Sequence, residues 1–360
     1  MDAVVQQSPT ILALARRRSR WGVVAGVVLG CTALWLAVRG VQWADLAASF
    51  ARLNYGWSLA AVASTLGTLL VSTLRWRVLF HPDERDQRLS ALFRGVVIGQ
   101  MLNIVLPIRV GEIARTYDFA STGKVSKTRV LATLAVEKAL DLGTFAVAIV
   151  VSLSLVVFPH GVRLQQRALW IIGVGGAVGL WLLARFGPSV DHWLRRLGGR
   201  LPERWQETTT AHVERFLQGL CSLRSSRASL AAVGLSILLV GLGASTNYLL
   251  FRAFNLDLSF VVALFLLVLL QVGSVPPSLP GRVGIFNYLT AVGLAAFGVD
   301  RSVAFSYSIV LYAVGLLPRV IVGAVYLAVT PKWSLSVFRR ADTLVPASLK
   351  TRPTTGSTRR

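Results

Sequence analysis

Acidic residues are scarce in this chain. Only 16 Asp and Glu stand against 38 Lys and Arg in 360 residues. Polar stretches are scarce too: the longest runs from Phe186 to Arg227, too short for a separate soluble enzyme domain. Cysteine occurs twice, Cys31 inside an apolar run and Cys221 in a basic stretch, so no disulfide is expected. The four histidines (His81, His160, His192, His212) lack metal-ligand spacing. There is no Walker loop, no Gly-x-Ser-x-Gly elbow and no dinucleotide fingerprint. No metal and no cofactor is therefore expected.

What the chain has is apolar length. Hydrophobic residues are 54% of it, and they gather in eight runs: 21–38, 57–74, 91–107, 130–158, 168–185, 228–251, 259–280 and 302–330. About 20 residues at ~1.5 Å each cross a bilayer, so the runs predict an all-α integral membrane protein. In a soluble protein the basic surplus would suggest nucleic acid. Here Lys and Arg crowd at the ends of apolar runs, where the positive-inside rule and anionic lipid account for them, and no nucleic-acid partner is expected. The N-terminal run imitates a signal peptide. Its continuation to Val38 and the bulky Leu29 favour an uncleaved span.

One phrase is written twice. "LPIRVGEI" at 106–113 and "LPGRVGIF" at 279–286 share five of eight positions at an offset of 173 residues. "ST" at 72–73 and 245–246 keeps that offset, and "VSKTRV" at 125–130 resembles "VDRSVA" at 299–304. Charge decides how these segments lie. Full crossing of run 91–107 would put the basic stretches 108–129 and 185–227 outside, against the positive-inside rule. If 91–107 instead breaks at Pro107 and turns back, 28 Lys and Arg lie in the cytoplasm and 6 outside. The reading is about six full spans plus two re-entrant hairpins, in two inverted repeats of span, hairpin and span over 57–158 and 228–330. A basic N-tail (1–20) and a basic, disordered C-tail (331–360) are both cytoplasmic. The membrane domain covers 21–330, with amphipathic helices on the inner leaflet at 186–227.

Non-helical backbone at membrane depth survives only beside protein or a wet cavity. Pro107 and Pro280 each end a half-helix, and Gly111 and Gly284 permit a tight path into the next. The free N–H groups there make an anion site, and Arg109 and Arg282 stand just ahead, suited to gripping phosphate. The alternative is that both arginines snorkel and clamp lipid passively. A second cluster lies in "VEKALD": Glu137 and Asp141 share a helix face about 11–17 Å into the fourth run, beside Lys138. Charges at that depth face partners or water, with Arg109, Arg115 and Lys138 as candidates. The cluster either locks the first hairpin or takes part in transport. Arg319 follows Pro318, where a kink aims it inward. Gln100, Asn103, Gln271, Asn287 and Tyr288 are weaker lining candidates.

"GQMLNIVLPIRVGEIARTY", "VSKTRVLATLAVEKALDL" and "VGSVPPSLPGRVGIFNYLTAVGLAAFGVDRSVAFSYSIVLYAVGLLP" together resemble the flippase-like transmembrane family, the membrane half of bacterial lysylphosphatidylglycerol synthases. The resemblance covers roughly 20–330. It implies a charged motif of Arg109, Gly111, Glu112, Arg115, Glu137 and Asp141, and a second block with Pro277, Pro280, Gly281, Gly284 and Asn287. It also implies a bacterial cytoplasmic membrane. The full synthases carry an aminoacyl-transfer domain after this region, whereas this sequence ends about thirty residues beyond its last run. Aminoacylation is therefore expected to be absent.

The expected function is translocation of a phosphate-bearing lipid between leaflets, without nucleotide. The phosphate would meet Arg109 and the first hairpin inside, then Arg282 and the second hairpin outside. Two other classes stay open. One is a membrane-embedded transferase with Glu137 or Asp141 as base. The other is a non-catalytic partner positioning a separately encoded lipid or glycan synthase through 186–227.

Overall fold

A computed structural model describes residues 31–39, 41–80, 88–105, 111–121, 125, 127–156, 226–273 and 283–329. Every regular element among the described residues is helical. Residues 31–38 are helical. After them come α1 (Trp43–Ala51), α2 (Tyr55–Leu79), α3 (Leu89–Val105), α4 (Gly111–Ser121), α5 (Lys127–Leu155), α6 (Ser226–Ala253), α7 (Phe260–Val272), α8 (Ile285–Ala295) and α9 (Arg301–Val329). The predicted tails, the run 168–185, residues 186–225 of the amphipathic stretch, and Pro107, Arg109, Pro277, Pro280, Gly281 and Arg282 lie outside the described residues.

Polar caps set several helix starts. The Asn54 side chain accepts hydrogen bonds from the Gly56 and Trp57 N–H groups at 3.0 and 3.3 Å, opening α2. The Asp300 carboxylate accepts from the Ser302 N–H at 2.7 Å, opening α9. Asn255, at φ 54, turns the chain out of α6, and the Leu256 N–H closes that end on the Phe251 carbonyl at 2.8 Å.

Length and apolarity sort the helices. Tyr55–Leu79, Arg227–Ala253 and Arg301–Val329 are long and apolar enough to cross a membrane. α5 is 29 residues long and carries three of the six charges discussed below. Leu89–Val105, Phe260–Val272 and Ile285–Ala295 are apolar but short. At ~1.5 Å per residue they reach about 26, 20 and 17 Å, less than a hydrocarbon core of about 30 Å. The long helices turn large apolar side chains outward: Leu59 and Leu70 on α2, Leu230 and Ile237 on α6, Leu142 and Leu155 on α5, Ile321 and Val325 on α9. Such a surface suits lipid and makes this a multi-pass membrane protein.

The second half repeats the element order of the first. α6 and α7 begin 171 residues after α2 and α3, and α8 and α9 begin 174 after α4 and α5. The most extensive packing is between α2 and α6, which run antiparallel. The Asn54 N–H donates to the Ala253 carbonyl at 2.9 Å, at one end of the pair. Ser64 and Thr246 meet through their hydroxyls at 3.2 Å in the middle, and Arg75 reaches Ser236 near the other end. The remaining packing comes in matched pairs: α3 on α9 as α7 on α5, and α9 on α2 as α5 on α6.

The two short-helix pairs fold back on themselves. In α3 and α4 the chain approaches so closely that a Cβ on Gly111 would collide with the Gly99 carbonyl and the Asn103 side chain. In α7 and α8, Gly293 packs on Leu266 and Leu269 while Gly273 packs on Leu289. Two cores sit at opposite ends of α2. Ala61, Leu250, Phe251, Leu266, Leu294 and Tyr307 form one, and Trp76, Phe80, Leu92, Phe119 and Leu134 the other.

Candidate functional site

The candidate site is an ion-pair cluster at the C-terminal end of α2. On α5, Thr133, Glu137 and Asp141 recur every four residues and so share one helix face. On α4, Gly111, Arg115 and Phe119 do the same. Phe119 stacks in an aromatic trio with Trp76 and Phe80, at ring distances of 5.1 and 5.4 Å, which fixes α4 against α2. Trp76 Nε1–H donates to Thr133 Oγ1 at 3.1 Å, tying α2 to α5. The polar faces of α2, α4 and α5 then converge.

Glu137 is the hub. One carboxylate oxygen accepts from Arg75 Nη2 at 3.3 Å and the other from Arg115 Nη2 at 3.2 Å. Arg75 Nη1 also donates to Asp141 Oδ1 at 2.6 Å and to Ser236 Oγ at 3.0 Å. The Arg115 guanidinium lies 4.1 Å from the Trp76 ring centroid, a cation–π contact. Arg75, Arg115 and Glu137 are buried, at 3%, 7% and 7% exposure. The Asp141 side chain is 33% exposed, so it opens the cluster outward. Beside it Lys138 Nζ pairs with Glu112 Oε1 at 2.9 Å in a more accessible position.

Three cations thus face three anions, and the group is neutral as a whole. That balance is what lets it exist away from water. Capacity is left over, because the buried Nε of Arg75 and of Arg115 has no hydrogen-bond partner among the described residues. The second half does not repeat these charges: the corresponding places hold Tyr248, Tyr288, Leu311 and Gly315.

The structure brings Glu112, Arg115, Glu137, Lys138 and Asp141 together. Arg115 pairs with Glu137 as expected, while Lys138 turns to Glu112. Gly111 sits at the start of α4, where its N–H donates to Asn103 Oδ1 at 2.8 Å. Asn103 is thus the group that meets this helix N-terminus from α3. At the matching place Gly284 has φ 88, and its N–H donates to Asn287 Oδ1 at 3.3 Å, whose Nδ2–H donates to Ser308 at 2.9 Å. Gly284 is a place where only glycine is at ease. Arg319 lies elsewhere, with Nη2 donating to Thr68 Oγ1 at 3.4 Å.

Sequence reasoning does not single out Arg75. It stands just beyond the run 57–74, where an arginine reads as an ordinary flanking charge, but α2 continues to Leu79 and buries it. A signal was present: Leu74, Trp76, Val78, Leu79 and Phe80 extend the apolar run past the arginine.

Residues 23–323 match the protein family described as the lysylphosphatidylglycerol synthase TM region. The chain belongs to that family. Two relatives are similar to it along most of its length. A UPF0104 membrane protein of Methanothermobacter thermautotrophicus is 22% identical over 79% of this chain and 88% of its own length. The glycosyltransferase AglD of Haloferax volcanii is 24% identical over 76% of this chain, which spans 49% of that protein. In family terms, the charged cluster falls wholly inside the matched region, as do both fold-back pairs.

Proposed function

We propose that this chain is a lipid translocator, carrying a phosphate-bearing headgroup between leaflets by rocking its two halves. The antiparallel pairing of α2 with α6 carries the reading. These helices hold the same place in the two halves yet run in opposite directions, the arrangement of inverted-repeat transporters. Under it, the short pairs α3–α4 and α7–α8 are re-entrant hairpins dipping from opposite sides, and about six other segments cross fully. Arg109 and Arg282 grip the phosphate at the two hairpins. The ion cluster holds the first hairpin against both halves, since Arg75 touches α5 and α6 together. The chain sits in a bacterial cytoplasmic membrane with both termini inside, driven by a gradient or by the lipid's own distribution.

The test is reconstitution of purified protein into vesicles with an acyl-chain fluorescent phosphatidylglycerol, followed by dithionite quenching. The protein should accelerate loss of the protected pool, and Arg109→Ala with Arg282→Ala should slow it. Protein that leaves the protected pool unchanged would sink the reading.

A second reading rests on the relative named a glycosyltransferase, of which this chain matches about half. Here the chain serves as the membrane partner of lipid-linked sugar chemistry, or performs it with Glu137 or Asp141 as base. Turnover of a lipid-linked sugar donor by the purified chain, alone or with a separately encoded synthase, would favour it over translocation.

A further inference from the structure

α2 carries a polar face through the joint between the halves. Ser64, Thr68 and Arg75 are spaced by four and seven residues, which keeps them on one side of the helix. Each reaches a different helix: Ser64 meets Thr246 on α6, Thr68 meets Arg319 on α9, and Arg75 meets Asp141 on α5. The hydroxyls are content in this closed packing. Thr68 Oγ1–H donates to the Thr65 carbonyl at 2.6 Å, Ser64 Oγ–H to the Leu242 carbonyl at 2.9 Å and Thr246 Oγ1–H to the same carbonyl at 3.0 Å. An apolar joint would have needed none of them.

Two guanidiniums are set along this face. Thr68 lies near the midpoint of the 25-residue α2, so Arg319 sits at mid-membrane depth once α2 spans. Arg75 stands seven residues on, about 10 Å nearer the helix end. Pro318, inside α9, lacks the N–H that the Val314 carbonyl would accept, which loosens the helix just before Arg319. An intramembrane arginine beside a hydroxyl, at a joint between two halves that must separate, is placed to hold an anion in transit.

We propose that Arg75 and Arg319 are successive phosphate stations, and that the polar face of α2 is the track between them. This rests on the translocator reading and names its interior route. As the halves part, the headgroup phosphate displaces Asp141 from Arg75 and then moves about two helical turns along α2 to Arg319. Ser64 and Thr246 are the next acceptors and donors toward the opposite leaflet.

The test uses the full chain in phosphatidylcholine vesicles with two probes, fluorescent phosphatidylglycerol and a fluorescent neutral glycolipid of equal chain length. Arg319→Gln should slow the phosphate lipid by about tenfold or more, the effect of losing one charged hydrogen bond in a crossing step. It should leave the glycolipid rate within about twofold, and Arg319→Lys should restore part of the loss. Thr68→Val, which keeps the cation, should slow the phosphate lipid less than Arg319→Gln. Equal loss for both lipids would make Arg319 a structural residue and overturn the proposal, as would an unchanged phosphate rate. A wild-type protein that moves neither probe would end the translocator reading itself, a different failure from a variant that behaves as wild type.

Discussion

Arg75 Nη1 and Asp141 Oδ1 are 2.6 Å apart, although 66 residues separate them in sequence. The same guanidinium touches Ser236, a further 95 residues on, in the other half of the chain. One buried side chain on α2 therefore couples α5 to the joint between α2 and α6.

Glu137 holds two buried arginines, so its removal should be the costliest change in the cluster. Glu137→Ala leaves both guanidiniums without their shared carboxylate, and breaking a buried pair costs about 3–5 kcal/mol. Thermal unfolding of the purified protein in detergent should show a large drop. Glu112→Gln breaks only the accessible pair with Lys138 and should cost about 1 kcal/mol or less. Equal losses would show that burial does not rank these pairs.

Asn103 bonds the first N–H of α4, in the manner of a cap supplied from the neighbouring helix. Asn103→Ala should cost about 0.5–2 kcal/mol, as for a lost N-cap. Asn103→Asp keeps the acceptor and should retain more stability than alanine. Gly111→Ala should be worse than either, because its Cβ meets the Gly99 backbone, which has no flexible end to move. The measurement is again unfolding in detergent.

The middle of the α2–α6 joint can be locked. The hydroxyls of Ser64 and Thr246 are 3.2 Å apart, so cysteines at both positions should form a disulfide under mild oxidant. Cys31 and Cys221 would first be replaced by serine. Under the proposed translocator reading, cross-linked protein should lose lipid transport and regain it on reduction, since rocking of the halves would need the joint to open. Full transport by the cross-linked form would place the moving surface elsewhere.

Much of this arrangement was legible in the sequence. The paired phrase at a 173-residue offset anticipated the matched order of α2–α5 and α6–α9, because its glycines mark helix starts: Gly111 opens α4 and Gly284 immediately precedes α8. The four-residue spacing of Glu137 and Asp141 announced a shared face. The partner of that face was harder to read. Arg75 stands near the end of an apolar run, where arginines usually snorkel, and its partners lie 62 and 66 positions away, beyond the reach of any local pattern. α1 escaped notice as well. Its nine residues are too few to register as a run, and they are held by packing against α9.

The fold-back of α4 along α3 makes a topological prediction that the side-chain geometry alone does not. Antiparallel contact between two helices arises equally from a hairpin that enters and leaves on one side and from two complete crossings. Length decides between them. α3 has 17 residues and α4 has 11, and α4 carries Glu112, Arg115 and Asp118 in that short stretch. An 11-residue helix reaches about 17 Å, so it cannot cross a ~30 Å hydrocarbon core, and its three charges would oppose insertion. Ser121, at the end of α4, should therefore lie on the same side as Leu89, at the start of α3. In a cysteine-free background, Ser121→Cys and Leu89→Cys should both resist a membrane-impermeant maleimide in intact cells and react after the inner face is exposed. Labelling of Ser121→Cys in intact cells, with Leu89→Cys protected, would mean that the segment crosses. The hairpin, the inverted arrangement and the phosphate route built on them would then be wrong together.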